Sequence, residues 1–217
     1  MSGKGNGNGD GSASIVPDVV GRLRELAGGE PGRQPGVGRC ELCGAQLAED
    51  HRHLLHLEER RILCACEPCV AMRSGEGPYR TTGVRLLWLE NFELPEELWA
   101  SLRIPIGLAF FMRSSSVGRI VGMYPSPAGA TECELELSAW EDLCAANPVL
   151  ETLDEDVEGL IVNRIGKPQQ LVIAPIDECY RLVGTIKAGW EGISGGGVVE
   201  RIVPGYFADL RRRAEVV

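Results

Sequence analysis

Five of the eight cysteines and all three histidines of this 217-residue chain fall within residues 40–69, "CELCGAQLAEDHRHLLHLEERRILCACEPC". Two Cys-x-x-Cys pairs bracket the stretch: Cys40 with Cys43, followed by the small Gly44, and Cys66 with Cys69. Each such pair turns two sulfurs and several backbone amides toward one point. Two facing pairs therefore supply the tetrahedral thiolate set that zinc favours. The same four thiolates suit a single rubredoxin-type iron, and Cys40, Cys43, Cys64 and Cys66 form a set that a [2Fe-2S] cluster could use. Neither Cys-x-His half of a Rieske centre is present. Zinc is the expected ion, and iron is the alternative.

Two further candidate ligands lie inside the bracket. Cys64 stands two residues before Cys66, so on a strand it would point to the same side and replace one of the four sulfurs. His51 and His53 share a strand face and could also ligate, while His56 should face the other way. Few large apolar side chains accompany these residues, and a module so short normally needs a metal to fold. Cys133, Cys144 and Cys179 stand apart, each on the apolar face of an expected element, where a free cysteine behaves as a small hydrophobe.

The elements that would position these groups can be read along the chain. "HRHLLHLEERRILCA" alternates well enough for a hairpin that brings the two cysteine turns together. Residues 1–38 read as a flexible tail with a short amphipathic helix, through Val19, Val20, Leu23 and Leu26, and a linker. Residues 39–72 form the metal module, of zinc-ribbon or rubredoxin type, and "RSGEGP" after it reads as a linker. Residues 79–217 form a mixed domain, so the fold class is α+β.

Within that domain "LPEELWASL" has a helix start, and "IGLAFFM" with "RIVGMY" makes a hairpin. "TECELEL" alternates as a half-exposed strand, followed by a capping box of Ser138 and Glu141. "VEGLIV" and "QQLVIA" are further strands, and "PIDECYRLVGTIKAG" is a helix with Asp177 and Glu178 as first-turn acids. The last segment, "VVERIVPGYFADLRRRA", keeps helical spacing, but Pro204 should break or kink it.

Several functions are excluded by what the chain lacks. The formal charge of −9 repels phosphate backbones, which argues against a nucleic-acid partner. Residues 131–160 carry ten acids and no Lys or Arg, either a solvated face or a docking surface for a basic partner. The first residues lack the apolar core of a secretory signal, and no later run reaches membrane-spanning length. The expected location is cytoplasmic, where thiols stay reduced and clustered cysteines mean metal or redox chemistry. "GISGG" matches a nucleophile-elbow pattern, but every histidine lies far upstream. There is no phosphate-binding glycine loop in strand-to-helix context. Nothing assembles an acid, a base and a nucleophile, so the chain is not expected to be an enzyme.

Taken together, "CELCG…HRHLL…ERRILCACEPC", "GRIVGMYPSPAGATE", "ANPVL" and "APIDECYRLVG…W" resemble an uncharacterised actinobacterial family whose genes lie beside uptake [NiFe] hydrogenases. The resemblance covers most of the chain after residue 38. It implies Cys40, Cys43, Cys66 and Cys69, with Cys64 and His53 also matching, as the family's metal-site pattern. It also implies one of two roles. One is an accessory protein that holds a hydrogenase subunit or maturation factor; the other is a rubredoxin-like or [2Fe-2S] electron carrier for the hydrogenase.

Overall fold

Runs such as "LAFFM" and "LVIA" lack polar alternation, the pattern of strands covered on both faces. In the computed structural model, which describes residues 38–190 and 197–217, these runs lie in a seven-stranded sheet. The order is β10-β4-β9-β8-β5-β6-β7. The strands are β4 (Leu87–Trp88), β5 (Leu108–Ser114), β6 (Arg119–Ser126), β7 (Gly129–Cys133), β8 (Glu158–Asn163), β9 (Gln170–Pro175) and β10 (Glu215–Val216). All neighbours pair antiparallel except β10 with β4. The amphipathic helix expected in the tail and the "GISGG" segment lie outside the described residues.

Period-two alternation sends successive side chains of the central strands to opposite faces. Phe110, Ile161 and Val172 pack with Cys179 and Val183 of α4 (Ile176–Ala188) and Phe207 of α5 (Val198–Arg213). Phe111, Leu160 and Ile173 pack with Trp99 of α2 (Glu96–Ser101) and with Trp140 and Leu143 of α3 (Leu137–Ala146). Each fully buried side chain of this size stabilises the fold by about 1.5–3 kcal/mol relative to exposure. The fold is thus mixed α+β, with helices on both faces of the larger sheet.

A second sheet carries the cysteine-rich stretch, in the order β2-β1-β3. Its strands are β1 (Arg52–His56), β2 (Arg61–Ala65) and β3 (Tyr79–Thr81), with α1 (Glu67–Arg73) after β2. The hairpin register pairs Leu54 with Leu63 and Leu55 with Ile62. Leu54 and Leu63 join a small core with Cys40, Leu47 and Val70, whereas Leu55, Leu57 and Ile62 face the larger one. At the hairpin turn Arg60 donates to Glu132 of β7 at 2.6 Å. Gly38–Val217 accordingly form one compact unit.

Two local expectations are corrected. The strand at "TECELEL" ends at Cys133, where its pairing with β6 stops. α3 then starts at Leu137 behind Glu136, with no side-chain cap, so the Ser138–Glu141 box does not form and Leu137 is exposed. Pro204 does not break α5. Val203 on one side of it, and Phe207 and Leu210 on the other, are buried against the core, and this packing outweighs the one hydrogen bond that proline removes.

α4 is seated by a close approach: a Cβ added to Gly159 of β8 would lie 2.9 Å from the Cys179 sulfur and 3.2 Å from the Phe111 carbonyl. Gly159→Ala should therefore lower stability by about 1–3 kcal/mol in urea unfolding; a variant as stable as the parent would show that this contact is loose. Glu178 ties α4 to α5, accepting from Arg213 at 2.9 Å and from the Tyr206 hydroxyl at 2.7 Å, and also from Arg181. Burial pushes the Glu178 carboxyl up, but these donors more than offset it and hold it below the usual glutamate range. Its stabilisation is complete above the unfolded value of about 4.3 and is lost as pH falls through the lower folded value. Between those two values, the stability of Glu178→Gln should fall less steeply with pH than that of the parent; parallel curves there would remove Glu178 from the acid response.

Candidate metal centre

The first cysteine turn is closed by its own backbone. Cys40 donates to the Ala45 carbonyl and Gly44 to the Cys40 carbonyl, both at 2.8 Å. Gly44 sits at φ +75°, in the left-handed region where a side chain is strained. The second pair is set by a helix start. Cys66 is the extended residue before α1, with Pro68 in the first turn, and Val70 donates to the Cys66 carbonyl at 3.0 Å. Cys69 therefore lies one turn on from Cys66.

Glu41 ties the first turn to β2, whose end leads into the second. Its amide donates to the Cys64 carbonyl at 2.9 Å, and its carboxylate accepts from the Cys64 amide at 2.7 Å and from Arg61 at 2.9 Å. The sulfurs of Cys40, Cys43, Cys66 and Cys69 consequently all lie within 4.8 Å of one another, with Cys43 and Cys66 at 3.6 Å. A tetrahedral ion with metal–sulfur bonds of about 2.3 Å needs sulfurs about 3.8 Å apart. The four thiols thus lie close enough together to hold one metal ion.

Their electrostatics agree with that geometry. Burial pushes the Cys40 thiol up, but the amides of Cys66, Cys43 and Leu42 more than offset it and bring it down to about 6. Hydrogen bonding to the Cys43 sulfur pushes Cys69 the other way, up to about 12. Without a cation the group supports only part of the charge that four thiolates would carry. Metal binding here must release protons.

Cys64 and His53 do not join the four. β2 ends at Ala65, and Cys66 already belongs to the helix start, so the alternation that would put Cys64 beside Cys66 is broken. Cys64 instead groups with His51 and His53. His56 packs edge-on to Tyr79 and accepts from the Glu59 amide at 3.2 Å. Cys133 and Cys179 are buried and Cys144 half-buried; burial pushes all three thiols up. Two participants escaped sequence reasoning. Nothing in the sequence marks Glu41, and Asp177 looks like an ordinary helix-start acid, yet it accepts from His53 at 2.8 Å.

A family model described as "Family of unknown function (DUF5947)" matches residues 39–214. The chain belongs to that family. The DUF5947 match takes in all four clustered cysteines, the whole small sheet and every strand of the larger sheet except β10. No curated protein and no solved structure matches the chain. Among the described residues of this DUF5947 member, no helix is long and apolar enough to cross a membrane.

Cys66→Ser should abolish binding at the four-cysteine group and lower the thermal midpoint, whereas Cys144→Ser should change neither. Metal content and thermal unfolding read both effects. Unchanged metal content in Cys66→Ser would rule the group out as a metal centre.

Proposed function

We propose that Cys40, Cys43, Cys66 and Cys69 hold a zinc ion as the structural clasp of a zinc-ribbon-type module. We further propose that the protein works through protein contacts, as a cytoplasmic accessory factor in the assembly or maturation of a [NiFe] hydrogenase. The convergence of four sulfurs from a tight turn and a helix start carries the metal part. Four thiolates fill a tetrahedral sphere, and filled zinc sites stabilise folds, whereas catalytic ones keep a position open. Among the described residues, the small core beside the cysteines contains six buried residues, few to fix both cysteine turns without a metal. The resemblance of the cysteine stretch and "YPSPAGATE" to proteins encoded beside uptake hydrogenases supports the choice of partner. The charge of −9 weighs against a nucleic-acid role.

One observation favours a second reading, in which the four sulfurs hold iron and pass electrons to or from the hydrogenase. Cys43 is exposed, so an ion beside it would lie close to the surface where a redox partner docks. Colour separates the two. Protein purified without oxygen should contain zinc and show no visible bands; iron with sulfur-to-metal charge-transfer absorption would replace the clasp by an electron carrier. Affinity capture from native cells should enrich hydrogenase subunits or maturation factors over a Cys40→Ser/Cys43→Ser control. Failure to enrich them would overturn the partner.

A further inference from the structure

On the other face of the same hairpin, His51, His53 and Cys64 each present a ligand atom, and all three lie within 4.8 Å of one another. The strand register sets this. His53 is paired with Cys64 across β1 and β2, and His51 precedes His53 by two residues. The two imidazoles meet edge-on, 4.9 Å between ring centres.

Both rings are held in the orientation that metal-binding histidines adopt. His51 Nδ1 lies 3.0 Å from the Ala48 carbonyl, so that nitrogen donates and Nε2 keeps its lone pair. His53 Nδ1 lies 2.8 Å from Asp177 Oδ2, which leaves Nε2 as its remaining nitrogen. A carbonyl or carboxylate on the distal ring nitrogen is the usual companion of a histidine ligand. His51 Nε2 is buried without a hydrogen-bond partner. A buried lone pair is costly unless something binds it.

The two histidines line a cleft of about 520 Å³ whose walls also include Asp177 and Tyr180. Asp177 Oδ1 and the Tyr180 hydroxyl are also buried without partners. Three of the five such atoms among the described residues therefore line one cleft. Unpaired polar atoms are rare in folded proteins, and their concentration at one place points to a missing ligand.

We propose that His51, His53 and Cys64 form a second metal site, for a late first-row transition ion of the zinc class, with its fourth position open to this cleft and taken by water or a small anion. Two imidazoles and a thiolate favour such an ion over magnesium or calcium, which take oxygen ligands. Asp177 is a positioning residue that fixes the His53 ring. Three protein ligands and an open position make a site of different class from the closed four-thiolate group. The two sites share a hairpin but no ligand, so this one does not depend on the zinc-clasp reading.

The test uses the full chain, stripped with a chelator and titrated with Zn²⁺, then with Co²⁺ as a spectroscopic probe. The parent should bind two ions per chain, and Cys64→Ser and His51→Gln should each bind one while keeping their circular dichroism. In Co²⁺-loaded protein each variant should lose one set of bands. Asp177→Asn should keep both ions but bind the second about 10–100-fold more weakly. If Cys64→Ser fails to fold, His51→Gln decides. The proposal is overturned if Cys64→Ser and His51→Gln each bind as many ions as the parent. A failure of the four-cysteine site reads differently, as no ion at all in Cys64→Ser.

Discussion

Four thiols confined within 4.8 Å of one another pose an electrostatic problem that the rest of the cysteine-rich region is arranged around. The backbone amides that lower Cys40 favour one negative charge there, whereas hydrogen bonding to the Cys43 sulfur raises Cys69 and keeps it protonated. A cation would resolve the conflict, and its binding free energy would become folding free energy for the turns that present the sulfurs. Neither turn is long enough to persist alone. One is five residues closed around Gly44, and the other is the first turn of a seven-residue helix.

The hairpin between the turns gives the region two unlike faces. Leu54 and Leu63 pack toward the four sulfurs, while Leu55 and Ile62 pack into the main core. His51, His53 and Cys64 share the second face and meet Asp177 at the start of α4. A single two-stranded element thus separates a closed thiolate group from an open imidazole–thiolate group, and it couples both to the larger sheet. Arg60 and Glu132 add a link between the hairpin turn and β7. Any shift of the hairpin by one residue would exchange the faces and dismantle both groups at once.

The parts legible in the sequence were those with a strong local period. The continuous runs of β5, β8 and β9 and the spacing of Ile176, Cys179, Val183 and Ile186 on α4 appear where expected. β4 and β10 were invisible because two residues carry no period; they exist through pairing with β9 and with each other. α1 starts at the second cysteine pair, where one Cys-x-x-Cys pattern reads equally as a metal turn and as the helix start that Pro68 favours. Alternation does not relate Cys64 to Cys66, because the strand stops at Ala65 between them. The pairing of His53 with Asp177 spans 124 positions, and no local pattern encodes a contact of that range.

X-ray absorption at the metal edge of Cys64→Ser, loaded with the metal it acquires in its native host, tests the central claim most directly because that variant isolates the four-cysteine group. The account predicts a zinc edge and a single shell of four sulfurs at about 2.3 Å. An iron edge, or a shell containing nitrogen or oxygen in place of sulfur, would contradict a closed zinc site built from Cys40, Cys43, Cys66 and Cys69.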